Sequence, residues 1–159
     1  MRPIKSILIA LTALVSAGAA ATVATPAQAA ALPTCSNFAT HSWVVGNTGL
    51  VASWNLPSVV REVRSDGFRA ENINCKLQVG DRGPGVFVLQ GALRECLGHS
   101  TLQVDAIYGS LTRNSVIWEQ ARNGFPAADV DGVYGPKTRS VLRFPLFING
   151  LFSGDCKQG

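Results

Sequence analysis

A ten-residue stretch occurs twice, and a chain that contains it must build one local structure two times. Val104-Asp105-Ala106-Ile107-Tyr108-Gly109-Ser110-Leu111-Thr112-Arg113 returns as Val130-Asp131-Gly132-Val133-Tyr134-Gly135-Pro136-Lys137-Thr138-Arg139. Val, Asp, Tyr, Gly, Thr and Arg agree in register, with an aliphatic residue before each Tyr. Self-similarity of this density marks a repeated supersecondary unit. Each copy reads as a tight turn that delivers a helix: Val-Asp opens it, the aliphatic residue and Tyr anchor it, and Gly closes it. Pro136 suits the first helical position, where a missing N–H costs nothing. Short carboxylates in such turns accept backbone N–H bonds and favour the positive end of the following helix, which gives Asp105 and Asp131 a structural role.

The rest of the chain is organised around these turns. Met1 to Lys5 carries two positive charges, Ile7 to Ala24 is an apolar and small-residue run, and Ala27-Gln28-Ala29 has small-x-small spacing. That order predicts a signal peptide over 1–29, cleavage after Ala29, and export without stable membrane insertion. The 159 residues carry a formal charge of +4. Loss of Arg2 and Lys5 from the fourteen basic residues leaves twelve against ten acids, or +2. No basic run stands out, so the clustered stripe of a nucleic-acid binder is missing.

Four cysteines follow the leader, and an even number in an exported chain predicts two disulfides with three possible connectivities. Cys35–Cys75 and Cys96–Cys156 are favoured: the first pair brackets the segment before the repeats, and the second ties the first helix to the tail. A bridge closing a loop of about 40 residues contributes roughly 4 kcal/mol in the loop-entropy model. Neither cysteine nor histidine spacing fits a zinc site, and no metal or cofactor is expected.

Between Cys35 and Cys75, His41–Val45 and Leu50–Trp54 are rich in β-branched and aromatic residues around Gly46-Asn47-Thr48-Gly49, a hairpin signal. Pro57 is expected to end the second strand, and Ser58–Arg64 reads equally as a helix or a third strand. Trp43 and Trp54 either stack on sugar rings or cover a small core, and large aromatics favour the second. From Leu77 a Gly-rich lead-in precedes Val86, Leu89, Leu93, Cys96 and Leu97 at helical spacing, with Gly98 as the stop. Gln90 lies at the edge of that apolar face, so its amide needs a partner, most simply a loop backbone. Further helices are expected over Ser110–Arg122 and Pro136–Arg143, then an apolar tail from Leu146 to Phe152.

These motifs together resemble the peptidoglycan-binding domain-like family of three-helix modules. Leu77–Gly83 matches the lead-in, and Val86-x-x-Leu89-Gln90-x-x-Leu93 the first helix. Asp105, Gly109 and Thr112 match the first turn motif, Asp131, Gly135 and Thr138 the second, and Val116 with Gln120 the middle helix. Ala106 stands where the family has Gly and would be strained at a positive φ. Glu119 replaces an apolar residue, so either the helix is rotated or Trp118 takes over the packing. The resemblance implies a mainly α fold: a compact three-helix module over 77–143, preceded by a disulfide-stapled extension (30–76) with a possible β-hairpin and followed by a tail (144–159).

It also implies non-catalytic attachment to peptidoglycan or muropeptides by a secreted, cell-wall-associated monomer of the lone-module type found in actinobacteria. No nucleophile elbow or metalloprotease motif is present, which argues against an enzyme. Tyr108 and Tyr134 could offer faces to sugar or stem peptide, or fill the core. Arg113 and Arg139 could reach stem-peptide carboxylates with bidentate bonds, or be solvated. A secreted protein-interaction or inhibitor domain using the Cys35–Cys75 segment is the alternative, and a small lytic enzyme comes third.

Overall fold

The computed structural model describes residues 31–63 and 69–159. The leader and its cleavage site lie outside the described residues. The chain runs β1 (Asn37–Val44), β2 (Val51–Val63), β3 (Arg69–Asn72), α1 (Pro84–Leu97), α2 (Ser110–Arg122), a 3-10 turn (Ala127–Asp129), α3 (Pro136–Arg139), β4 (Arg143–Ile148) and β5 (Leu151–Gln158). The strands form one antiparallel sheet in the order β1-β2-β4-β5, with β3 paired to β2.

The sheet overturns the expectation of a mainly α fold. The extension and the tail, at opposite ends of the described residues, meet where Ala52 and Ser53 of β2 pair with Ile148 and Phe147 of β4. The tail is strand because Asn149 and Gly150 both adopt positive φ, 48° and 81°. Asn-Gly satisfies the mirror-image turn that joins twisted antiparallel strands at lowest cost. That dipeptide, flanked by Phe147-Ile148 and Leu151-Phe152, was a legible hairpin signal beside the repeats. The same pairing shortens α3, which ends at Arg139 rather than Arg143, because Arg143 already opens β4 against Gln158.

Around Gly46–Gly49 the expected hairpin forms, but Pro57 does not end its second strand. β2 continues to Val63, which resolves the described part of Ser58–Arg64 as strand. β4 reaches only Ala52 and Ser53, and β3 ends opposite Val59. One edge of β2 therefore lacks a partner beside Pro57, where a residue without an N–H is tolerated.

α1 lies against β1, β2 and β4 and carries the centre of the core. Val86, Leu89 and Leu93 are fully buried with Leu77, Val116, Leu142 and Phe144. Gly98 closes the helix in the left-handed conformation, as its position predicts. Gly85 permits the approach of α1 to the sheet: a Cβ there would stand 2.3 Å from the Cys35 carbonyl oxygen. Both favoured disulfides are present, Cys35–Cys75 and Cys96–Cys156. The first joins the start of β1 to the lead-in, and the second joins the end of α1 to β5.

Leu89→Ala should cost about 2–5 kcal/mol, because it removes a fully buried side chain whose neighbours belong to the helix, the sheet and the turns. Denaturant unfolding without reductant measures the loss, and a change within error would place Leu89 outside the core.

Candidate functional site

The two repeats close by the same set of contacts. On α1 the Gln90 side-chain amide directs its two N–H groups at Asp105 Oδ1 (2.9 Å), the Ile107 carbonyl (2.9 Å) and Thr112 Oγ1 (3.1 Å). Its oxygen accepts the Ala106 N–H at 2.8 Å. On α2, Gln120 makes the same contacts to Asp131 Oδ1 (3.0 Å), the Val133 carbonyl (3.0 Å) and Thr138 Oγ1 (3.1 Å), and accepts the Gly132 N–H at 2.9 Å. Each Asp also accepts the N–H two residues on, from Ile107 or Val133. Both glutamines are buried, so these contacts satisfy amides that would otherwise be costly to desolvate. The Gln90 partner is thus a whole turn.

Asp105 responds to this arrangement. The Gln90 amide first, and then the Ile107 N–H, hold its carboxyl below the ordinary carboxylate range. Ala106 sits at φ 62°, the positive φ at which its Cβ strains the turn, while Gly132 occupies the matching position at φ 72°. The lead-in holds the two turns in one frame. Leu77 exchanges two backbone bonds with Tyr134, Tyr108 donates its N–H to the Asp81 carbonyl, and Gly83 donates to Ala106.

Tyr108 and Tyr134 offer no face to a ligand, since both rings are buried. The Tyr108 hydroxyl donates to the Gly132 carbonyl at 2.8 Å, which links the first turn to the second. Burial pushes both phenols well above their usual range. The arginines diverge despite matching positions. Arg113 is exposed, with its stem over Gly132. Arg139 is half-buried and donates to the Ile73 carbonyl. Leu89, Gly109, Thr112, Gly135 and Thr138 belong to the core or to the turns themselves.

Concave surface lies beside the clamps. A cavity of about 180 Å³ opens at the first turn and one of about 160 Å³ at the second. The first shares Leu102 and Leu111 with a larger cleft of about 390 Å³ between the end of α1 and the face of α2. His99, Asn114, Ser115 and Trp118 line that cleft, and Arg113 and Arg139 line none of the three. Trp118 is half exposed, with the Arg122 guanidinium 5.1 Å from its ring and His99 at its edge. Sequence reasoning missed His99 and the cleft. Either a rotated helix or packing by Trp118 was expected at Glu119; instead Trp118 is half exposed and Glu119 itself is buried, at 1% exposure, with His99 Nε2 3.0 Å from its Oε1.

Residues 82–142 match the family model described as "Putative peptidoglycan binding domain". Among solved structures, the chain is similar to the N-terminal domain of SleB, with 35% identity over 41% of this chain and 84% of that one, at a TM-score of 0.37. The chain belongs to this peptidoglycan-binding family. It is also similar to a Burkholderia AP3 phage endolysin, with 48% identity over 41% of this chain and a TM-score of 0.36. It spans only 23% of that endolysin's length. No curated protein matches the sequence. All residues lining the three cavities fall inside the peptidoglycan-binding segment.

The asymmetry between the turns generates a paired expectation. Ala106→Gly should raise stability by up to about 1 kcal/mol, the relief of left-handed strain less the added freedom of the unfolded chain. Gly132→Ala should lower it by about 1–3 kcal/mol, since the new Cβ is both strained and crowded. That Cβ would stand 2.6 Å from Arg113 Cγ. Melting temperatures of the two variants should move in opposite directions.

Asp105 also sets a pH dependence. Its carboxyl is depressed on folding, so its contribution is fully present above the unfolded value near 3.8 and is lost as pH falls through the lower folded one. Asp105→Asn should be less stable than the parent at neutral pH. It should also lose less stability between about pH 5 and about pH 2, measured by urea unfolding.

Proposed function

We propose that this chain is a non-catalytic, exported module that binds peptidoglycan, and that the groove from the first repeat turn to the α1–α2 cleft is its contact surface. The observation that supports this most directly is coincidence: the family match and the concave surface occupy the same segment. The groove combines an exposed indole and leucine with amide and hydroxyl side chains, the mixture that suits sugar rings bearing acyl groups and peptide. Residues 77–143 are the binding unit in this reading, with 30–76 and 144–159 as flanking segments. Two disulfides fit an extracellular or cell-wall location. No helix among the described residues is long and apolar enough to cross a membrane.

Arg113 stays in the proposal as an exposed cation beside the second turn, within reach of stem-peptide carboxylates. Arg139 is committed to the Ile73 carbonyl and acts in the fold.

A second reading rests on the sheet. Val44, Leu50 and Val51 at one hairpin end and Leu151 and Phe152 at the other are exposed. The two ends are tied where Asn149 donates to Val51 and its side chain accepts the Val51 N–H. Apolar surface of this kind favours a protein partner.

Sedimentation of the exported protein, whose intact mass should begin at Ala30, with insoluble protein-free peptidoglycan tests the proposal. The parent should pellet and be displaced by soluble muropeptides. Trp118→Ala should weaken binding by about tenfold or more, as loss of a central aromatic anchor does. Arg113→Ala should weaken it only a few-fold, because exposed ion pairs are weak. Labelled walls should release no dye. A parent that stays in solution would sink the wall reading and leave the sheet surface as the place to look.

A further inference from the structure

The repeats supply their own control. In α1, Val86-Phe87-Val88-Leu89-Gln90 occupies the positions that Val116-Ile117-Trp118-Glu119-Gln120 occupies in α2, because both glutamines clamp their turns identically. Val86 and Val116 are both fully buried, as are Leu89 and Glu119 to within 1%. One site therefore holds a leucine and its counterpart a carboxylate, in the same kind of core position. A buried ion is expensive to desolvate, and an apolar residue there is compatible with the fold, as Leu89 demonstrates. Packing does not account for Glu119. Its nearer partner, His99, lines the cleft of about 390 Å³ beside Asn114, Ser115 and Trp118, and the exposed Arg122 guanidinium stands 3.7 Å from the same oxygen.

We infer that Glu119 and His99 form a built recognition element in the α1–α2 cleft, with Glu119 positioning His99 to bind a secondary amide of the ligand. This rests on the peptidoglycan reading and names the chemistry of the same groove. The carboxylate against Nε2 fixes that nitrogen as the proton-bearing one, so in the neutral ring Nδ1 becomes an acceptor. Nδ1 has no hydrogen-bond partner among the described residues. An amide N–H from the ligand satisfies it, and the Asn114 amide and Ser115 hydroxyl supply donors for the amide carbonyl. Trp118 and Leu111 provide apolar surface for the attached ring or side chain. A secondary amide reaches such a cleft either as the acetamido group of an amino sugar or as a peptide bond of the stem.

The test uses the full exported chain with Glu119→Leu, which restores the residue found at the matching position of α1, and with His99→Ala. Glu119→Leu should melt at or above the parent's temperature and still lose about tenfold in sedimentation with peptidoglycan, the cost of an unmade bond. His99→Ala should show the same loss with little change in melting. If Glu119→Leu fails to fold, the partly exposed His99 carries the test alone. Calorimetry with tri-N-acetylchitotriose, its deacetylated counterpart and a free stem pentapeptide identifies the source. Binding of only the acetylated sugar assigns the acetamido group, and binding of only the peptide assigns the stem. Failure of all three overturns the inference. A parent that does not sediment overturns the peptidoglycan reading and this one with it. If the parent sediments and both folded variants match it within twofold, only the role of this pair is wrong.

Discussion

The rest of the structure depends on one buried side chain used twice. A primary amide offers two N–H donors and a carbonyl with two lone pairs, enough to hold a turn whose backbone groups point inward. Gln90 and Gln120 each spend that capacity on an Asp, a backbone carbonyl, a threonine hydroxyl and a backbone N–H. Removing such an amide would leave several buried groups without partners, which costs more than the net worth of the bonds themselves. The repeated Asp, aliphatic residue, Gly and Thr are thus the other half of the clamp. The Tyr fills the space beneath it, and in the first turn its hydroxyl reaches across to the second.

Around that frame the chain closes on itself at long range. The lead-in bonds to both turns, and the disulfides join β1 to the lead-in and α1 to β5. The extension and tail form a sheet that covers one side of α1 and leaves α2's cleft side open. The cavities beside the turns and α2 lie within the segment matching the peptidoglycan-binding family.

The two repeats also depart from one another. Ala106 accepts strain that Gly132 avoids, and Arg139 is tied down where Arg113 is exposed. Glu119 buries a carboxylate where Leu89 buries an isobutyl group. The cleft lies beside α2, the copy with the charged substitution.

Much of the module was legible in residues 77–139, because its determinants are local. Helical periodicity, the Gly98 stop, the α2 limits and the turn motif all depend on neighbours within a few residues. The disulfide pairing also followed, from the logic of which segments needed fastening. The sheet was less legible. β2 continues past Pro57 because β4 and β3 leave its edge opposite β1 unpaired there, and β4 finds β2 from about a hundred residues away. Asn149-Gly150 did announce a hairpin, and it was overshadowed by the helical pattern before it. The site was hardest to read. His99 and Glu119 are twenty residues apart and share no motif, and only the packing of the loop after α1 against α2 brings them to 3.0 Å. The sequence alone determined which residues build the repeated turns, since the motif recurs in register. The tertiary structure alone decided that the tyrosines are core, that Arg113 is exposed while Arg139 bonds to the Ile73 carbonyl, and that a histidine and a carboxylate meet at a cleft. Burial and proximity are properties of the folded chain, set by distant segments that no local pattern describes.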